Sequence, residues 1–419
     1  MKKTDNHQEI IAWLDHCHVQ AIWRLWRIAK RGGYRLKKIH YFGKCSRLAL
    51  LFSRILFFTE KNFVVEKFAS NLYVHNHDDQ EALYWDIWRD RFHFGWQTGQ
   101  AAGFDYLTEP LAKDYNRFSL ELYLRRQIAY DQMHPMGLIR LVDWNIKNNN
   151  LTAETHVVLL SDAVWQQPLK DYAASFNLSL YAFNDKNYGL WSLIRVAYTF
   201  VKCIKFYVKS LFTRATADEK TSETFSPKVG VFYAQGSELS KRSDLYWLPP
   251  SGIEPKNVLV YFMSPHYLPT KERIDSLEKL GVQWFSLLPQ KFNGAPNSPE
   301  RTRRYCLFYS QRLWLALKGL MRLCKKMKIS SDLSKWWQYE KLVWLLDRIA
   351  QFEALFLSQN IKVHFGLFSE DDQNMMAINM AVERVNAVDV YAHWSNHPEV
   401  QMLPAHDVYF SWGPYFRRF

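Results

Sequence analysis

A chain of 419 residues with 48% hydrophobic and 23% charged side chains is long enough for two or three domains and too apolar for disorder. Its five cysteines (Cys17, Cys45, Cys203, Cys306, Cys324) are odd in number and lack metal-ligand spacing, which fits a reduced, cytoplasmic compartment. The net charge of +13 calls for an anionic partner, while the opening MKKTDNHQEI has no apolar core of a signal peptide and no run of 18 uncharged apolar residues predicts a spanning helix.

The charge is uneven. No acid lies between Asp15 and Glu60, a stretch that carries Arg24, Arg27, Lys30, Arg31, Arg47 and Arg54 among its cations. A second acid-free basic block runs from Glu300 to Asp332. Lipid headgroups, sugar nucleotides and nucleic acid are the anionic partners such blocks serve. Seventeen tryptophans exceed the ordinary needs of a core and suit carbohydrate stacking, a membrane interface or a protein interface.

From the N-terminus, Ile10, Trp13, Leu14, Ala21, Leu25 and Ile28 recur at roughly helical spacing, predicting a helix over 8–31 that Gly32 and Gly33 stop. A second helical stretch is expected over 47–68. Residues 1–150 thus read as a mostly helical, basic and aromatic region, either core helices with solvated arginines or a membrane contact. The run His75-Asn76-His77-Asp78-Asp79 has metal-site residue types, but a polar turn explains it better. An aromatic helix is predicted over 82–94. Gly95, Gly99 and Gly103 then follow at intervals of four, marking loop or a close helix contact. Residues 120–132 read as helix.

From residue 151 the pattern becomes that of an α/β, Rossmann-like parallel sheet. Residues 156–161 predict a strand, 166–176 a helix and 178–183 a second strand, one right-handed βαβ unit. Residues 191–212 form a helix about 33 Å long, with Arg195, Lys202, Lys205 and Lys209 on one face. Four central cations oppose insertion, so the helix is expected to lie on an anionic membrane surface; a buried helix with one solvated basic edge is the alternative. The polar stretch 213–227 reads as a linker. Strands are predicted at 229–233, 258–262, 282–287, 361–365, 388–391 and 408–410. Helices are predicted at 271–280, 305–328, 335–359 and 372–385, the second of these with Arg312, Lys318 and Arg322 near one side.

The strand at 229–233 and that at 258–262 enclose Arg242-Ser-Asp-Leu-Tyr-Trp-Leu-Pro-Pro-Ser-Gly252. This wording, with His364-Phe-Gly366, Asp372-Gln373 and Asp407-Val-Tyr-Phe-Ser-Trp-Gly413, resembles bacterial surface-carbohydrate biosynthesis proteins of the O-antigen and capsule type, glycosyltransferases of the two-Rossmann GT-B class. The resemblance covers residues 228–419. It implies a nucleotide-sugar donor, a lipid-linked glycan acceptor, no cofactor, and a place on the cytoplasmic face of the plasma membrane. It also implies a donor domain after Trp412-Gly413. Because the sequence stops at Phe419, the expectation is a chain holding the acceptor half with the donor half missing.

Ligands of open parallel sheets bind beyond the carboxyl ends of the strands. That rule nominates Glu238, Arg242 and Asp244 after the first of these strands, His266 after the second, Glu370, Asp371 and Gln373 after the strand at 361–365, and His393 and Ser395 after that at 388–391. Asp244, His266 and Glu370 are the candidate bases for the acceptor hydroxyl. Trp247 and Ser251 in the intervening loop are candidate sugar contacts, with core packing the other reading of Trp247. Residues 369–372 also fit a helix cap, Asp244 a pair with Arg242, and His266 a turn. The sequence has no Asp-x-Asp, so a metal-independent mechanism is expected; dinucleotide, P-loop and serine-hydrolase signatures are absent. A non-catalytic membrane-associated partner in envelope polysaccharide assembly is the alternative. A nucleic-acid-binding role has only the basic pI of 9.3 behind it and no recognised motif.

Overall fold

The fold is described from a computed structural model. It covers residues 8–58, 63–68, 78–149, 151, 154–161, 163–183, 194–199, 201, 204–205, 208, 228–233, 245–263, 270–287, 299–326, 333–366, 374–392 and 407–410. The chain divides into two compact units. The first comprises Met1–Gly103, Leu124–Ile194 and Ile329–Gln338; the second comprises Phe104–Tyr123, Arg195–Lys328 and Tyr339–Phe419.

The first unit holds a five-stranded sheet of β1 (Glu9–Leu14), β2 (Arg35–Tyr41), β3 (Val64–Lys67), β4 (Thr155–Ser161) and β5 (Ser179–Phe183), in the order β3-β2-β1-β4-β5. Every pairing is parallel. This corrects the expected helix over 8–31. Ile10 to Leu14 is buried at every position, the mark of a central parallel strand covered on both faces. The helical spacing of Ile10, Trp13 and Leu14 is incidental to that run. The helix itself is Val19–Gly32, stopped where expected: Gly33 takes φ 64 and its N–H reaches the Ala29 carbonyl.

The stretch 47–68 is likewise divided, into a helix Arg47–Leu56 and β3. Residues 1–150 therefore supply three strands of a sheet that β4 and β5 complete, and a boundary at 150 would cut through it. The βαβ unit expected over 156–183 is present as β4, the helix Gln166–Ala174 and β5. Gly95 and Gly99 lie inside a helix, Asp78–Ala102, rather than in a loop. A Cβ on Gly95 would fall 2.7 Å from the Arg125 carbonyl and 3.0 Å from the Ala129 Cβ, so this glycine lets the helix Arg117–Asn148 approach closely.

One face of β1 and its neighbours packs Ile10, Ala12, Leu14, Ile39, Val157 and Leu159 against Ala21, Ile22 and Leu25 of the first helix. Each buried valine, leucine or isoleucine among them contributes about 1.5–3 kcal/mol. The opposite face carries Trp13, which stacks on His40 at 4.2 Å and donates from Nε1 to His156 Nδ1 at 3.2 Å.

The second unit holds β6 (Val229–Phe232), β7 (Val258–Phe262), β8 (Gln283–Ser286), β9 (Val363–Gly366), β10 (Val388–Ala392) and β11 (Val408–Phe410). Their order is β11-β10-β9-β6-β7-β8, again all parallel. Here each expected strand and the helices expected over 271–280, 335–359 and 372–385 are found within a few residues of their expected ends; the helix expected over 305–328 begins earlier, as Pro299–Lys326. The ends of the helix expected over 191–212 and the linker 213–227 lie outside the described residues. Two Rossmann-like sheets thus stand where the sequence pattern predicts one.

Candidate functional site

In the first sheet the chain runs β1 to β2 to β3 in one direction, then returns to build β4 and β5 on the other side of β1. The reversal lies between β1 and β4, the position at which open α/β sheets form a crevice at their carboxyl ends. The residues found there are Asp15 and His16 after β1 and Ser161 ending β4.

The Asp15 side chain is buried. Its Oδ2 accepts from the Ser161 N–H at 2.7 Å and from the Ser161 hydroxyl at 2.6 Å, and its Oδ1 accepts from the His16 N–H at 2.6 Å. Burial pushes the Asp15 carboxyl above the usual carboxylate range, with the Ser161 hydrogen bonds pulling it back. The carboxylate therefore ties the ends of β1 and β4 together.

His16, by contrast, is exposed. Its backbone is held by a continuation of the β1–β2 ladder into the loops. Phe42 N–H reaches the Leu14 carbonyl at 3.0 Å, Gly43 N–H the Asp15 carbonyl at 2.7 Å, Cys17 N–H the Lys44 carbonyl at 2.9 Å and Ser46 N–H the Cys17 carbonyl at 3.0 Å. Lys44 N–H donates to His16 Nδ1 at 3.3 Å. With Nδ1 accepting, the neutral ring carries its proton on Nε2 and offers it as a donor.

A second imidazole, His134 from the helix Arg117–Asn148, lies within electrostatic reach of both Asp15 and His16. His134 is exposed. The surrounding protein nevertheless displaces enough water to hold its pKa below the ordinary histidine value, opposed by Asp15 and assisted by His16. Proton uptake by His134 is thereby disfavoured relative to an ordinary histidine. His18 serves the helix instead, its Nδ1 accepting from the Ala21 N–H at 3.0 Å to cap Val19–Gly32.

Elsewhere in the first unit, Asp90, His93, Gln97 and Tyr172 line a hollow of ≈ 560 Å³ between the helices Asp78–Ala102 and Gln166–Ala174. The Tyr172 hydroxyl donates to Asp90 Oδ2 there at 2.9 Å. That hollow lies between helices and not at a strand end.

The second unit buries its own polar network across three strands. The Tyr261 hydroxyl is 2.9 Å from His364 Nε2, and His364 Nδ1 is 2.8 Å from Asp389 Oδ1. Asn379 donates to the other Asp389 oxygen, and the Asp389 N–H donates to Asp407 Oδ2 at 2.8 Å. His364 and Asp389 are buried, so this network organises the sheet interior and offers no open reaction site.

The residues nominated from the sequence fall as follows. Glu238, Arg242, Asp244, His266, Glu370, Asp371, Gln373, His393 and Ser395 lie outside the described residues, as do Lys202 and Lys209 and the run 75–77. Trp247 is half-buried with its ring 4.8 Å from that of Phe365. Ser251 ends the turn of helix Leu248–Ser251, where its hydroxyl donates to the Leu248 carbonyl at 2.7 Å and accepts from the Ile253 N–H at 3.1 Å. Of the cations expected at a membrane, Arg195 pairs with Glu340 at 3.0 Å, Arg312 with Glu353 at 3.6 Å and Arg322 with Asp114. Lys205 is exposed, and Lys318 sits over the Trp314 ring at 5.4 Å. Much of the expected basic face of the Pro299–Lys326 helix is thus spent on acids of its own unit. Beside Arg195 and Lys205, however, Tyr198, Val201, Ile204 and Val208 are exposed.

Asp15, His16, Ser161 and His134 are not among the residues nominated from the sequence. A signal for the first two exists: a five-residue apolar run, Ile10 to Leu14, followed at once by Asp15-His16-Cys17-His18. Among the described residues no group of three His, Cys, Asp or Glu side chains is placed to hold a metal ion. Nor is any helix among them long and apolar enough to cross a membrane. No protein-family model, no curated protein and no solved structure matches the chain.

Proposed function

We propose that the chain is a glycosyltransferase of surface-polysaccharide assembly, moving a sugar from a nucleotide donor to a lipid-linked glycan at the inner face of the plasma membrane without a metal ion. The observation that carries this reading is the pair of doubly wound parallel sheets in one chain, together with His16 and the buried Asp15 carboxylate at the switch point of the first and a further imidazole, His134, within electrostatic reach of both. Sugar transfer needs a base for the attacking hydroxyl and donors for oxygens that gain negative charge. His134, whose pKa is held below the ordinary histidine value, accepts the acceptor proton in this reading. His16 Nε2–H holds an oxygen of the reacting pair, and Asp15 fixes the strand end from which His16 projects. Asp244, His266 and Glu370, outside the described residues, stay in this reading as the alternative bases nominated from the sequence.

The test is release of nucleoside diphosphate from a panel of nucleotide sugars, with and without lipid-linked acceptor. Acceptor-dependent release is expected, falling about 10²–10⁴-fold in His134→Gln with KM little changed. No release from any donor by the folded chain would remove the reading. The non-catalytic alternative would then stand on the exposed apolar and cationic surfaces alone.

A further inference from the structure

The helix Arg47–Leu56 and the turn after it are apolar on two faces. The inward face buries Ala49, Ser53 and the following Phe57, with Phe52 and Leu56 packed half-buried against the core. A second set of large apolar side chains points away from it: Leu48 is 69% exposed, Leu51 57%, Ile55 57% and Phe58 79%. Spacings of three, four and three place them in one stripe along the helix. Water-soluble helices bury such a stripe. Among the described residues nothing covers this one.

The neighbouring helix Val19–Gly32 lies on the same face of the sheet, since Ala21, Leu25, Ala49 and Phe57 share one core with Leu14 and Ile39. Trp23 joins the two helices, stacking on Trp26 at 4.9 Å and meeting Phe52 at 6.3 Å. Trp23 is itself 41% exposed. Around the stripe the charge has one sign. Arg47 and Arg54 flank it, the first helix adds exposed Arg27, Lys30 and Arg31, and the sequence has no acid between Asp15 and Glu60.

We infer that this two-helix face docks on an anionic lipid surface, with Leu48, Leu51, Ile55 and Phe58 entering the acyl boundary and the arginines and Lys30 meeting the headgroups. Large apolar side chains rimmed by cations, with tryptophan at the margin, are the chemistry an anionic interface takes. A second copy of the chain fits poorly. A two-fold contact through the stripe would bring Arg47 and Arg54 of one copy against the same residues of the other, with no acid to separate them. The inference names the surface by which a lipid-linked acceptor would be reached, but it stands without the sugar-transfer reading, because lipid binding is measured with neither donor nor acceptor present.

The experiment is flotation of the full chain with phosphatidylcholine vesicles, with and without phosphatidylglycerol. The wild type should float with the anionic vesicles and lose binding as salt rises. Leu48→Ser, Leu51→Ser, Ile55→Ser and Phe58→Ser together should cut partitioning by at least about 100-fold. These side chains face solvent, so thermal unfolding should show the fold intact. As a second variant, Arg47→Ser with Arg54→Ser should lose about five-fold for each cation removed, on anionic vesicles only. Wild-type flotation by the four-fold apolar variant would overturn the inference. So would a wild-type dimer that the apolar variant dissolves while flotation is unchanged, which would assign the stripe to self-association.

Discussion

Gly43 lies against the imidazole of His16: a Cβ at position 43 would fall 1.9 Å from His16 Nδ1 and 2.7 Å from the Asp15 carbonyl oxygen. The first obstacle is a side chain that can swing away, but the second is backbone already bound to the Gly43 N–H at 2.7 Å. The loops after β1 and β2 are closed together because residue 43 has no side chain.

Gly43→Ala should therefore displace His16 and loosen the Asp15–Gly43 contact, costing about 1–3 kcal/mol of stability. The His16 ring should lose the Lys44 N–H bond, which proton–nitrogen NMR of the imidazole would register as a change of tautomer balance. An alanine variant with the wild-type melting curve and an unaltered His16 spectrum would show that the contact is relaxed at no cost.

The same unit should weaken in mild acid. Burial is the main cause holding His40 and His156 below the ordinary histidine pKa; His40 is pushed down to about 4, with Lys38 assisting and Glu66 opposing. These rings take up protons less readily when folded, whereas the unfolded chain takes them up near pH 6.5. The unfolded state binds more protons in that window, so stability rises with pH there. It should be complete above about pH 6.5 and fall as pH drops toward 4. Urea midpoints followed by Trp13-sensitive fluorescence across that range would test it, with His40→Phe flattening the profile. A midpoint independent of pH between 6.5 and 4 would contradict the account.

In the second unit, Asp389 holds His364 on one oxygen and Asn379 on the other. Asp389→Ala leaves the buried His364 Nδ1 without its partner, with Tyr261 still on Nε2, and should cost about 1–3 kcal/mol. Asp389→Asn keeps one acceptor oxygen and should cost less. Chemical denaturation of both variants reads the difference; an alanine variant as stable as the asparagine one would mean that the network contributes little.

How much of this is legible in the sequence depends on how each strand is written. Val229–Phe232 and Val258–Phe262 are short, wholly apolar and bounded by turn residues, and their expected and observed ends agree within one residue. β2, Arg35-Leu-Lys-Lys-Ile-His-Tyr41, has three cations and no apolar run; it is a strand because β1 and β3 flank it, which is tertiary information. β1 is hidden by an accident of spacing, because Ile10, Trp13 and Leu14 suit a helix as well as a strand. With β1 read as helix, the strand-end rule cannot reach Asp15 or His16, and His134 lies 118 positions beyond His16 in sequence with no local motif. Gly95 is open to two readings, and only the nearness of the Arg125 carbonyl chooses helix packing over loop.

The most direct test of the account is the mass of the lipid-linked product after the full chain is incubated with nucleotide sugar and acceptor. One added glycosyl unit on the lipid is expected with the wild type, strongly reduced in His16→Gln and His134→Gln variants that keep the wild-type melting curve. An acceptor lipid of unchanged mass with every donor, or undiminished product from both variants, would contradict it.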